Sequence, residues 1–225
     1  ADAAHDFSDK TVYLTADMDM GGSSNWTPIG GKYTMDSANG EFLIEAFFNG
    51  TLDGQGHRIT NLHCDRYAPK GYAYSQAVGL IGYMGELYDG EDEPQTPPTV
   101  RNLSVGGSIY GRRMVGGIVG RGGSIPTGIY IENCANYATV RNTDSKGIGG
   151  IIGAGWSKGA IVNCYNTGSV TTVYACPAGG ICGSNGGLDI YNCYNVGTIS
   201  SSGNRRGRGI GGHDKGAYTV SDCYY

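Results

Sequence analysis

Side chains able to do chemistry are sparse in this chain. Asp53 and His57 stand four residues apart in the run Asp53-Gly54-Gln55-Gly56-His57. A tight turn there would bring a carboxylate toward an imidazole, the pairing that general acid–base work needs. They are the best catalytic candidates in the sequence, although a turn-stabilising Asp and a strand His is the plainer reading. His5, His63 and His213 show no partner. The other concentration of charge is an insert at 84–98, where Glu86, Asp89, Glu91, Asp92 and Glu93 fall close together among three prolines. Clustered oxygens of this kind suit calcium, but the spacing matches no EF-hand loop, and a solvated loop is the plainer reading. Tyr67, Tyr72, Tyr74, Tyr83 and Tyr88 lie just before or within it. Tyr faces stack on sugar rings and are enriched at protein interfaces. Tyr72, Tyr74, Tyr88, Asp89, Glu91, Asp92 and Glu93 are therefore the candidate binding site. It requires Tyr72 and Tyr74 to lie outside the core.

The rest of the chain offers little for catalysis. Glycan cleavage on a β-helix usually needs two or three carboxylates on one face, plus a base or metal. The acids of the regular part, Glu132, Asp144, Asp189, Asp214 and Asp222, occupy unrelated positions. No GxSxG, HExxH or P-loop pattern occurs, although a triad of residues remote in sequence would leave no motif. The seven cysteines are Cys64, Cys134, Cys164, Cys176, Cys182, Cys193 and Cys223, and no C-x₂₋₄-C pair for zinc is among them. An exported protein could pair them as disulfides, leaving at least one thiol over. The preferred alternative is a stack of small buried thiols, because cysteines on parallel neighbouring strands point their Cβ vectors the same way.

Composition narrows the class. Gly is 41 of 225 residues, Tyr 17, Phe only 4, and charged residues are 16%. The net charge is −4, with no basic run beyond Arg205, Arg206 and Arg208. A nucleic-acid partner is therefore not expected. No apolar stretch approaches the ~18 residues of a membrane-spanning helix. A chain that opens on Ala1-Asp2-Ala3 reads as a mature piece of something longer.

The element that must position any site is a repeat. Val115-GGIVG…IENCANYATV-140, Ile148-GGIIG…IVNCYNTGSV-170 and Ala178-GGICG…IYNCYNVGTI-199 align, a fourth copy begins at Ile210, and a weaker one covers 77–109. The anchoring cysteines 134, 164, 193 and 223 are separated by 30, 29 and 30 residues. Within a unit the apolar period is two, as in strands. A ~30-residue unit of short strands cannot bury its own inward face, but stacked on its neighbours it can. The expectation is one all-β domain over 1–225, a right-handed parallel β-helix-like solenoid of about seven coils. Its divisions are an N-terminal segment at 1–62, the weak repeat at 77–109 and clear repeats at 115–140, 148–170, 178–199 and 210–225. Stacking predicts amide ladders at Asn133, Asn163 and Asn192, with Asp222 fourth, and at Asn136, Asn166 and Asn195. The paired glycines supply either positive φ or room where no side chain fits. The run 48–62 reads as strand, tight turn, strand.

The patterns L-x-x-D-x-D (14–19), W-x-P-I-G (26–30), F-x-G-T-L-D-G-Q-G-H-x-I-x-N-L (48–62), then repeated G-G-I-V-G and N-C-Y-N-x-G-x-V, together resemble the GLUG-repeat family of bacterial surface proteins. The resemblance runs from about Val12 to Tyr225. It implies a right-handed parallel solenoid inside large exported proteins, including adhesins and regions beside secreted peptidases or glycan-active domains, and it implies no catalytic residue. The cysteine-rich positions, the acidic insert and the truncated last repeat depart from its pattern. The expected role is thus a secreted or cell-surface module for adhesion, spacing or binding. Its partners would be a glycan, a host or other extracellular protein, and neighbouring domains of the same chain. A polysaccharide lyase or glycosidase, and a substrate-positioning domain beside a peptidase, are the alternatives. No cofactor is implied beyond the calcium reading of the insert.

Overall fold

A computed structural model describes residues 6–35, 42–66, 76–86, 94–144, 146–202, 207–214 and 216–225. Among them every regular element is a β-strand, and all pairings but one are parallel. The strands collect into four parallel sheets, each extended by one layer per repeat, with the second taking two short strands in each of the later layers. The first holds seven: Thr11–Tyr13, Thr51–Asp53, Thr99–Arg101, Ile129–Glu132, Gly159–Val162, Asp189–Tyr191 and Val220–Ser221. The second is built around Ser104–Gly111. This strand pairs with Arg58–Asp65 on one side and with both Ala135–Asn136 and Thr139–Asn142 on the other. Tyr165–Asn166 and Val170–Thr172 continue it, followed by Tyr194–Asn195 and Ile199–Ser201. The third runs Ala77–Val78, Met114–Gly116, Ile148–Gly149, Ala178–Gly179, and the fourth runs from Ile81–Met84 through Val119–Gly122, Ile152–Gly155 and Cys182–Asn185 to Gly211–Asp214. The exception is an antiparallel pair, Lys32–Met35 with Phe42–Ala46. The chain is thus all-β and β-helix-like.

Register explains the core. Val100, Ile131, Ile161 and Ile190 are successive Cα partners in the first sheet and all are fully buried. Ile81, Val119, Ile152 and Cys182 form the matching column in the fourth sheet. Equivalent side chains lie one strand spacing apart, about 4.8 Å. One apolar cluster therefore runs from Phe48 to Ile210.

The corner between the first and second sheets is set by one residue type. Asn102, Asn133, Asn163, Asn192 and Asp222 all take positive φ, between 50° and 56°. This is the left-handed region that Asn and Asp tolerate best among non-glycine residues. The next position carries Cys134, Cys164, Cys193 and Cys223. Each thiol turns back to donate to the carbonyl two residues earlier, at 3.2–3.3 Å. The backbone N–H of Cys134 donates to Cys164 Sγ and that of Cys164 to Cys193 Sγ, both at 3.4 Å. All seven cysteines are free, so the stacked thiols, not the disulfides, are what the fold contains. Burial pushes the Cys64 thiol up to about 12 and holds Cys164 well above the ordinary thiol value.

The glycine pairs serve close approach, not positive φ. A Cβ on Gly117 would strike the Asn136 carboxamide, one on Gly150 that of Asn166, and one on Gly180 that of Asn195. The missing side chains leave the volume that the buried amides fill. Asn136 Nδ2 donates to Asn166 Oδ1 and Asn166 Nδ2 to Asn195 Oδ1, both at 2.7 Å.

The run 48–62 departs from the strand–turn–strand expectation. Thr51–Asp53 belongs to the first sheet and Arg58–Asp65 to the second. Asp53-Gly54-Gln55-Gly56 is a corner, with positive φ at Gln55 and Gly56. The edges a hairpin would have used pair instead with the next layer.

Candidate functional site

The two catalytic candidates face different partners. Asp53 is 7% exposed and closes the outer amide ladder. Asn163 Nδ2 donates to Asn133 Oδ1 and Asn133 Nδ2 to Asn102 Oδ1, each at 3.0 Å, and Asn102 Nδ2 donates to Asp53 Oδ1 at 3.1 Å. Arg101 Nε reaches Asp53 Oδ2 at 2.8 Å, and the Gln55 N–H donates to Oδ1 at 3.0 Å. Burial by itself would raise this carboxyl, but these donors outweigh it and hold it below the usual range. His57 Nδ1 lies 3.1 Å from Asp17 Oδ1, which also accepts the Arg58 N–H at 3.0 Å. The Asp53 carboxylate is occupied by structural donors, and the imidazole turns to Asp17.

Tyr72, Tyr74, Tyr88, Asp89, Glu91, Asp92 and Glu93 lie outside the described residues. Tyr83, their neighbour in sequence, is fully buried and donates its hydroxyl to Glu86 Oε2 at 2.8 Å. Among the described residues no group of three His, Cys, Asp or Glu side chains could hold a metal ion.

The structure instead assembles a groove on the outer face of the second sheet. One column of Cα partners there reads Arg58, Ser104, Ala135, Tyr165, Tyr194, and Tyr194 bridges to Tyr224. Two small side chains thus stand in consecutive layers between an arginine and a row of tyrosines. From Arg58 to Tyr165 is three strand spacings, about 14 Å of axis. Where the column lacks bulk, a cavity of about 380 Å³ opens over Ser104 and Ala135, rimmed by Gln55, Asn102, Asn133 and Tyr165. A second, of about 240 Å³, lies over Ile59, Thr60 and Gly106. The two share Arg58, Ser104 and Tyr137.

The aromatic end is ordered by its own contacts. Tyr165 and Tyr194 stack with centroids 4.9 Å apart and planes within 3°. Tyr137 meets Tyr165 edge-on at 5.7 Å, and their hydroxyls hydrogen-bond. That bond pushes the Tyr165 hydroxyl up to about 12. Tyr137 leans over the space that Ala135 leaves and stays 46% exposed. Neither lining contains Asp, Glu or His. The arrangement can stack an apolar face and donate hydrogen bonds, and its lining holds no carboxylate or imidazole. Sequence reasoning did not single out Arg58, Tyr137 or Tyr165. The available signal was positional: the residue after each anchoring Cys is Ala135, then Tyr165, then Tyr194.

No family model matches the chain, so membership of the GLUG-repeat family is not shown. Halomucin of Haloquadratum walsbyi is 30% identical over 124 residues, 48% of this chain. The chain spans only 1% of the length of that relative. Among solved structures, a candidate immunoglobulin A1 protease from Bacteroides ovatus has a TM-score of 0.54. The match covers 97% of this chain and 78% of that one at 21% identity, a likeness of fold.

Proposed function

We propose that this chain is a non-catalytic extracellular module, a right-handed parallel β-solenoid of GLUG-like repeats, that binds glycan or extracellular protein through the groove between Arg58 and Tyr165. The carrying observation is the lining: aromatic faces, amide donors and one guanidinium, with no carboxylate or imidazole. Flat rings beside convergent polar donors suit a saccharide or a peptide segment. Hydrolysing a glycosidic bond ordinarily takes two carboxylates, and this groove contributes none; a lyase would act by elimination instead, which the turnover arm of the test reads. A secreted or surface location is part of the proposal, supported by the motif resemblance and by the fold likeness to a candidate protease. That likeness also favours a second reading, in which the groove positions substrate for a peptidase unit. Calcium at the acidic insert belongs to the proposal only as a condition to vary.

The test is a binding and turnover screen of the purified chain against a glycan array and extracellular proteins, with calcium and with chelator. Retention that falls in Tyr165→Ala, with no product released, is the expected result. Release of reducing or unsaturated ends, or retention unaltered in Tyr165→Ala, overturns the reading.

A further inference from the structure

The chemistry of the groove restricts its ligand further, given that it is a binding site at all. Arg58 contributes the only charge to either lining. Its backbone N–H is fixed by Asp17 Oδ1. Among the described residues its exposed guanidinium makes no hydrogen bond or ion pair. The outer amide ladder is polarised the same way. The Oδ1 atoms of Asn102 and Asn133 each accept a bond from the next layer. Each Nδ2 spends one hydrogen toward Asp53, directly or through its neighbour. An amide nitrogen carries two hydrogens, so each keeps one for the rim. The groove therefore offers spare donors, a positive charge and an aromatic wall, with no anionic acceptor in its lining; the exposed Asp17 carboxylate, outside the lining, sits near enough to Arg58 to interact with it electrostatically without an ion pair.

We infer that the ligand is an acidic saccharide: a sugar ring lying against Tyr137 and Tyr165 with its carboxylate directed at Arg58. A planar guanidinium fork matches a carboxylate in two parallel hydrogen bonds, and charge-assisted bonds of this kind are about twice as strong as neutral ones. A neutral sugar would leave the guanidinium solvated and gain only the stacking and the neutral amide hydrogen bonds.

The test compares an oligohexuronate with its methyl ester, the same backbone without the charges, on the native chain and on Arg58→Gln and Arg58→Lys, each checked for an unchanged melting midpoint. The acid should bind about tenfold tighter than the ester to the native chain, as expected for a partly exposed charge-assisted bond. In Arg58→Gln the two should become equal at the affinity of the ester, and Arg58→Lys should fall between. Equal binding of acid and ester by the native chain, or a preference that survives in Arg58→Gln, overturns this inference while leaving the groove a binding site. Array binding confined to neutral glycans also overturns it. If nothing binds in a manner sensitive to Tyr165→Ala, the proposed function itself fails.

Discussion

Two adjacent columns of the second sheet differ in what they tolerate. The inward column, Asn136, Asn166 and Asn195, repeats one residue in three layers, each amide bonded to the next and to the carbonyl two residues on. The neighbouring outward column changes from Arg58 through Ser104 and Ala135 to Tyr165 and Tyr194. The inner position is fixed from two sides, by glycines that leave it room and by polar atoms that are costly to bury unpaired. The outer position points away from the layered core, though the small Ala135 is covered and only 4% exposed, so its side chains vary without unstacking the layers. Uniform columns make the stack, and the broken column makes the groove.

Asn166→Ala should break the inner column most severely. It removes the acceptor of Asn136 and the donor to Asn195 and Gly168 in a fully buried setting. A loss on the order of 4 kcal/mol is expected in urea unfolding, the sum of two or three unsatisfied buried groups. Gly150→Ala attacks the same fit from the other side. Its Cβ would overlap the Asn166 carboxamide and the Gly180 carbonyl, and about 3 kcal/mol should be lost, as in an overpacked core. Retained stability in either variant would show that the inner column is not the constraint.

The outer column should respond in binding instead. Tyr165→Ala should weaken ligand by about 2 kcal/mol, roughly thirtyfold, while lowering stability by only about 1 kcal/mol through loss of the Tyr194 stack and the Tyr137 hydrogen bond. Ala135→Tyr sharpens the comparison, since it makes the column uniform. It should abolish binding by filling the groove while altering stability by less than about 1 kcal/mol. A large destabilisation would show that the outer face is as constrained as the inner.

Two titrations give smaller effects. Asp53 has a lowered folded value, so its stabilisation is complete above the ordinary carboxyl value of 3.8 and is lost as pH falls through the lowered one. Asp53→Asn should be less stable than the native chain at neutral pH, and the gap should narrow in acid. Tyr165 is shifted the other way. Its contribution is whole below the ordinary phenol value of 10.0 and is lost as pH rises through about 12. Tyr137→Phe should let Tyr165 ionise nearer 10.0, read from phenolate absorbance.

The sequence by itself determined the layers. Cysteines 29 or 30 residues apart, Asn before three of them and Asp before the fourth, paired glycines and a period of two within strands are local and recurrent. Each recurrence exists because stacked strands give equivalent residues the same environment. The inner amide ladder was legible for that reason, and so was the burial of thiols at the corner; of the outer ladder only the Asn133–Asn163 step was, since its continuation runs to Asn102 and Asp53. The use of the glycines was legible only as a choice between positive φ and space. Tertiary structure decided that choice, by placing Asn136, Asn166 and Asn195 where Cβ atoms would be.

It also decided the site. Asp53 and His57, close in sequence, are held apart in role by Asn102, Arg101 and Asp17, which come from other layers. Arg58 and Tyr165 are 107 residues apart in the chain yet share a column. That alignment depends on the longer corner at Gln55 and Gly56, between Asp53, which partners Arg101, and Arg58, which partners Ser104. It does not follow from residue identity. A repeat announces what its copies share, whereas a groove arises from where they differ, and only the register between layers brings those differences side by side.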